Sequence, residues 1–283
     1  MKIPFKNICL SATLCILLAG CMKLDSFLYD NEKLETYEPL STSVIPESAR
    51  EFVTLESEGK KIYGYFLKAS RVDTNIFSDI TIVYCHGNYQ HLKYYWDRAE
   101  YLYKTGCNVF IFDYKGFGMS EGESTEESLY ADGSAALQYV LNRPDVIDSN
   151  VVLYGFSLGN VVSFNLAAKE FTPRVFIAEA PFASGDALVK SGTVIDIPGS
   201  YVLNGEYNNA EKAKDIKAPF LLLYGTKDAK FPITQGEEIF NNANEPKWFL
   251  KIEGAEHSTI PETIGIDNYV RTVRDFVLTG KPK

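Results

Sequence analysis

"VVLYGFSLGN", residues 151–160, runs from a mostly apolar stretch into Gly155, Ser157 and Gly159. The residues that follow, "LGNVVSFNLAAKE" (158–170), switch from a continuous apolar run to helical spacing. The stretch therefore predicts a buried strand that turns sharply into a helix. Glycines at 155 and 159 remove side chains that would clash in so tight a turn, and the Ser157 hydroxyl is left exposed above the strand end. A G-x-S-x-G string arises by composition in roughly one chain in ten of this length, so its weight comes from this setting.

Outward from that stretch the same rhythm repeats. "ITIVYCHG" (80–87), "NVFIFDYKG" (108–116), "RVFIAEAP" (174–181), "PFLLLYGTKD" (219–228) and "KWFLKIEGA" (247–255) are near-continuous apolar runs, as expected of strands covered on both faces. Helical spacing falls between them, over about 92–105, 125–142, 158–170, 233–243 and 262–278. Ahead of them, "EFVTLES" and "IYGYFLKA" alternate around a Gly-containing turn and predict a β-hairpin. Strand and helix alternate, so the fold class is α/β, with one mostly parallel central sheet and helices on both faces. Between Pro181 and Pro219 lie 37 residues, far more than one crossover helix needs. Residues 182–214 are read as a small lid inserted at the carboxyl edge of the sheet, within a single domain over 50–283.

The chain begins differently. Lys2 and Lys6 precede an apolar run from Ile8 to Ala19, too short to span a bilayer, and "LAGC" (18–21) follows. Residues 1–20 are read as a bacterial lipoprotein signal peptide and Cys21 as the lipidated first residue of the mature protein. The acyl chains would hold the protein at a membrane of the bacterial cell envelope, facing periplasm or exterior. Residues 21–49, polar and aperiodic with two prolines, are read as a tether that packs partly on the domain. With the signal and Cys21 set aside, Cys85 and Cys107 remain. They fall at opposite ends of neighbouring predicted strands and read as buried small residues rather than a disulfide.

Of 283 residues, 46% are hydrophobic and 23% charged, the profile of a globular core. The net charge is −9, and removal of Lys2 and Lys6 leaves 26 basic against 37 acidic residues, or −11. So acidic a chain excludes nucleic acid as a natural partner. No Cys/His spacing suggests a metal site, no cofactor is implied, and oligomeric state is left open.

A serine hydroxyl is a poor nucleophile at neutral pH and needs a histidine base. The chain offers His86, His91 and His257. The elbow resembles that of the α/β-hydrolases, whose chain order implies that the acid and then the histidine follow the serine, and only His257, in "EGAEHSTI", follows Ser157. The acid is placed just past an intervening strand, at Asp228 in "LLLYGTKDAKFP", with Glu179 in reserve. The Leu158 N–H at the helix start is one oxyanion donor. The second is assigned to the loop "YCHGNYQH", with the N–H of Asn88 as first choice and Tyr89 as second. His86 is read as a brace for that loop, and His91 as a surface residue or the start of the next helix.

The ordered set "HGN", "DYKGFGMSEG", "GFSLG", "YGTKDAKFP" and "GAEHS" resembles the α/β-hydrolase superfamily, in the branch of small serine esterases and serine aminopeptidase-like hydrolases. The likeness covers residues 50–283. It implies Ser157 as nucleophile, His257 as base, Asp228 as acid, and Asn88 with Leu158 as oxyanion donors, without metal or cofactor. Asp113 and Gly116 to Ser120 match a family loop that shapes the site without chemistry. Asn160 departs from the pattern, where a further glycine is common, and so does the bulky "YQH" after "HGN".

The expected activity is that of a serine hydrolase cutting an ester or thioester, with a small-molecule acyl substrate. The lid carries Leu188, Val189, Val194, Ile195, Ile197, Pro198, Tyr201, Val202 and Leu203, which would either line an acyl cleft or pack the lid down. A peptidase cutting near a free amino terminus is the enzymatic alternative, with Asp186, Asp196 and Glu206 available to hold an ammonium group. A non-catalytic binding module on the same fold is the other.

Overall fold

The hairpin forms from β1 (Arg50–Ser57) and β2 (Lys60–Leu67). The near-continuous apolar runs become β3 (Phe77–Cys85), β4 (Cys107–Phe112), β5 (Val151–Phe156), β6 (Phe176–Glu179), β7 (Phe220–Gly225) and β8 (Lys247–Ile252). In the computed structural model, which describes residues 28–69, 77–192, 199–201 and 203–282, these strands make one sheet in the order β1-β2-β4-β3-β5-β6-β7-β8. β2 runs antiparallel to β4, and every pairing from β4 to β8 is parallel. The signal segment, Cys21 and lid positions 193–198 and 202 lie outside the described residues.

The apolar runs are continuous because successive side chains enter opposite cores. Val83, Phe110, Phe112 and Leu153 pack on one face, whereas Ile82, Tyr84, Ile111 and Val152 pack on the other. The helices are α1 (Trp96–Tyr103), α2 (Glu126–Leu141), α3 (Gly159–Asn165), α4 (Gly185–Gly192), α5 (Asn209–Lys212), α6 (Ile233–Asn242), α7 (Ile260–Ile264) and α8 (Ile266–Thr279). Leu129 and Leu137 of α2 with Val161 and Phe164 of α3 cover the first face. Trp96, Ala99 and Leu102 of α1 with Tyr269, Val273 and Phe276 of α8 cover the second. The single helix expected over 262–278 is two, because Gly265 adopts φ +84 between α7 and α8, a conformation that interrupts a right-handed helix.

Part of the expected tether belongs to the fold. Tyr29, Tyr37, Leu40 and Ile45 are buried in the two cores. Asp30 and Asn31 pair in parallel with Tyr89 and Gln90, and the Tyr37 hydroxyl donates to Asp113 Oδ2 at 2.6 Å. The domain therefore starts well before position 50. These anchors follow neither helical nor strand periodicity, because the segment packs as irregular chain, so the sequence pattern marks it as a linker.

Cys85 and Cys107 are buried free thiols at opposite ends of the paired strands β3 and β4. Burial pushes the Cys107 thiol up to about 11 and raises that of Cys85 further.

Tyr37→Phe should cost about 1.5–3 kcal/mol, because it removes a donor from a fully buried carboxylate. Tyr37→Ala should cost about 3–5 kcal/mol. Urea unfolding of both variants measures this; wild-type midpoints would return residues 28–49 to the status of a tether.

Candidate active site

At the end of β5 the chain turns through Ser157, whose φ of +51 lies in the left-handed region. For a residue with a side chain that conformation costs of the order of 1–3 kcal/mol, and the surroundings must hold it. The Ser157 N–H donates to the Glu179 carbonyl at 3.0 Å, and Asn160 donates from its backbone to the Ser157 carbonyl at 3.0 Å. The Asn160 side-chain amide donates to the carbonyls of Ser157 and Glu179 at 3.1 and 2.9 Å. The departure from the family pattern at position 160 is thus a brace for the turn. A Cβ on Gly155 would stand 2.2 Å from Ser163 Oγ, and one on Gly159 would stand 2.0 Å from the Cys85 carbonyl oxygen. Glycine is required at both.

Three chain-distant side chains meet at this turn. His257 Nε2 lies 2.8 Å from Ser157 Oγ, and His257 Nδ1 lies 2.8 Å from Asp228 Oδ2. A carboxylate can only accept, so Nδ1 carries the proton and Nε2 presents its lone pair to the serine hydroxyl. Asp228 is fixed in turn: its Oδ1 accepts from the N–H groups of Lys230 and Phe231 at 3.0 and 2.8 Å. The rings of Phe156 and Phe231 flank the imidazole at 5.6 and 5.2 Å.

Both assigned oxyanion donors sit at this point. Asn88 borders the space above Ser157, and Leu158 immediately follows the serine. Among the described residues the N–H groups of Asn88 and Leu158 donate to no protein acceptor, whereas that of Tyr89, the second choice, donates to the Tyr95 hydroxyl at 2.9 Å. The Asn88 side chain holds the amino-terminal segment by donating to the Leu28 carbonyl at 2.5 Å. His86 is fully buried; its Nδ1–H donates to the Gly87 carbonyl at 2.8 Å and its Nε2 lies 2.9 Å from Asp113 Oδ1. Asp113 Oδ1 accepts from the Leu92 N–H at 2.7 Å, so the carboxylate that stands against the start of the loop holds its far end. His91 is not a surface residue: it is buried in the turn before α1, 3.9 Å from Glu32, and burial lowers its pKa.

Glu179, the reserve acid, is committed elsewhere. Its fully buried carboxylate receives Arg98 Nη1 at 2.5 Å and the hydroxyls of Tyr154 and Tyr269. Arg98 Nη2 donates to the Ser258 carbonyl at 2.7 Å, and the guanidinium covers the Phe156 ring at 3.9 Å. One ion pair thereby ties the strand behind Ser157 to the loop that carries His257. Arg98 was not read from the sequence; in "WDRAEYLY" it looks like one more charge on an amphipathic helix.

Ser157 and Asn88 lie where two cavities meet. A cleft of about 530 Å³ includes His257, Ser258, Tyr94, Tyr101, Asp97 and Glu262. A smaller pocket of about 230 Å³ is lined by Leu28, Tyr29, Phe182, Leu188, Tyr207 and Phe231. Of the lid residues, Leu188 borders that pocket while Val189 and Leu203 are buried in the core. Val194, Ile195, Ile197, Pro198, Val202 and the carboxylate Asp196 lie outside the described residues, and the side chain of Tyr201 is likewise not described. Asp186 and Glu206 line a different hollow that does not reach Ser157. Among the described residues no group of three His, Cys, Asp or Glu side chains is placed to hold a metal ion.

A sequence profile of the family described as serine aminopeptidase, S33, matches residues 78–193. Human alpha/beta hydrolase domain-containing protein 17B is 30% identical over 230 residues, covering 80% of this chain and 74% of that protein. Escherichia coli K12 protein YfhR is 28% identical over 272 residues, covering 94% and 91%. Among solved structures, the Pyrococcus furiosus esterase Pf2001 superposes with a TM-score of 0.71 at 18% identity, over 88% of this chain and 97% of that one.

Arg98→Met would leave Glu179 buried without its counter-charge and should destabilise the protein by about 3–5 kcal/mol. Arg98→Met combined with Glu179→Gln, which leaves no lone charge, should recover a large part of that loss. Thermal unfolding of both variants tests the pair; equal losses in the two would show that packing of Arg98 on Phe156, and not charge, is what matters.

Proposed function

The chain belongs to the α/β-hydrolase superfamily, and on that premise we propose that it is a serine hydrolase cleaving carboxylic ester or thioester bonds. The observation that carries this reading is the unbroken line of contacts from Asp228 through His257 to Ser157, each at 2.8 Å. Ser157 Oγ attacks the carbonyl carbon while its proton passes to His257 Nε2. The negative charge that develops on the carbonyl oxygen is received by the N–H groups of Leu158 and Asn88, where one such donor is worth roughly 10²–10³ in rate. Collapse of the tetrahedral intermediate breaks the bond to the leaving oxygen or sulfur, which takes the proton from Nε2. Water, deprotonated by the same nitrogen, then adds to the acyl-enzyme and releases the acid and the free serine. Asp228 holds the imidazole tautomer and offsets its transient positive charge.

The peptidase alternative needs a carboxylate beside the acyl half of the substrate, to hold a free ammonium. The apolar pocket at Ser157 includes Lys230 and no carboxylate among its described lining residues. That favours an uncharged acyl group.

Anchoring at Cys21 fits the same reading. Seven Cα-to-Cα steps lead from Cys21 to Leu28, which borders the apolar pocket. At about 3.6 Å each they reach at most ~25 Å. A lipidated Cys21 would keep this pocket close to the membrane surface of the cell envelope, where acyl substrates collect.

Hydrolysis of p-nitrophenyl esters and acyl thioesters by residues 22–283 should fall at least ~10⁴-fold in Ser157→Ala. A fluorophosphonate should modify Ser157 in the wild type. Turnover that survives the substitution, or aminoacyl-anilides cleaved in preference to esters, would reject the proposal. A folded protein that neither turns over nor labels would be a binding module.

A further inference from the structure

Proton bookkeeping decides which half of a substrate enters which cavity. The leaving atom must receive its proton from His257 Nε2, so the leaving group lies on the imidazole side of Ser157. His257 and Ser258 line the 530 Å³ cleft and do not line the 230 Å³ pocket. The larger cleft is therefore the leaving-group site and the smaller apolar pocket the acyl site, an assignment that rests on the acyl-transfer reading above.

The walls of the larger cleft carry a consistent chemistry. Asp97 and Tyr101 stand one turn apart on α1 and share a face. Glu262 joins them from α7, and Asp30 from the amino-terminal segment. The Tyr101 hydroxyl is raised first by burial and then by the charges of Glu262 and Asp97, so the three side chains share one field. None of these three carboxylates has an ion-pair partner among the described residues. Against them, the charge of Arg98 is answered by Glu179, which leaves Lys230 as the other cation of the described lining. Tyr89 and Tyr94, 42% and 56% exposed, are two of the four large hydrophobic side chains that the described surface leaves open, and both border this cleft. Aromatic faces beside uncompensated carboxylates attract an ammonium group and offer little to an anion.

We propose that the cleft selects a leaving group that carries a positive charge, an alcohol or thiol bearing a quaternary or protonated amine. The test compares two butanoyl thioesters that share the acyl group and differ in the thiol: one ends in a trimethylammonium group, the other in the isosteric, neutral tert-butyl group. The expected ratio of kcat/KM, cationic over neutral, is about tenfold at low ionic strength, shrinking in 0.5 M salt. In Asp97→Asn/Glu262→Gln, both exposed positions, that ratio should fall to about twofold. A wild-type ratio near one, or a high ratio that the double variant retains, overturns the proposal while leaving the acyl-transfer reading in place. Turnover of neither thioester, with no labelling of Ser157 by a neutral fluorophosphonate, rejects the acyl-transfer reading itself.

Discussion

The left-handed turn at Ser157 is the constraint on which the rest of the site depends. A serine held at φ +51 is intrinsically unfavourable, and it persists because backbone from three elements closes around it. The Glu179 carbonyl at the end of β6 accepts from below, Asn160 returns from α3, and the end of β3 approaches so closely that position 159 has no room for a Cβ. The strain is useful in two respects. It lifts Oγ clear of the sheet, and it leaves the Leu158 N–H, among the described residues, without a protein acceptor.

A parallel sheet brings its loops to one edge, where the carboxyl ends of β3, β5, β6 and β7 lie side by side. Each loop must still be fixed, and buried charges do this. Asp113 holds the loop of Asn88 through Leu92 and stands against His86. Arg98 reaches from α1 to Glu179 and to the carbonyl beside His257. Leaving one partner of such a contact unpaired in the interior is expensive, so these residues define a single arrangement more than they add net stability.

The sheet, its helices and the three side chains that meet at the turn, Ser157, His257 and Asp228, were legible in the sequence because each has a local signature. The apolar runs follow from burial on both faces, the elbow from its glycines, and His257 from being the one histidine after Ser157. What escaped had no local signature. Tyr29, Tyr37, Leu40 and Ile45 are anchors without period in a polar segment, and their burial is decided by surfaces far along the chain. The partnership of Arg98 with Glu179 joins positions separated by 81 residues, and neither looks unusual where it stands. His91 reads as polar and exposed, yet the same amino-terminal segment covers it.

That segment links the architecture to the chemistry. Asp30 and Asn31 pair beside Asn88, Leu28 and Tyr29 stand in the wall of the apolar pocket, and Asp30 reaches the rim of the larger cleft. The Tyr29 hydroxyl meets that of Tyr207, at the far wall of the apolar pocket, at 2.8 Å. A stretch that composition marks as a linker therefore borders both the acyl half and the leaving-group half of the proposed site. Under that reading, any pull on the chain ahead of Leu28 acts directly on the loop that carries an oxyanion donor. A lipid on Cys21, as proposed above, would then stand at a distance from the domain set by the site as much as by the membrane.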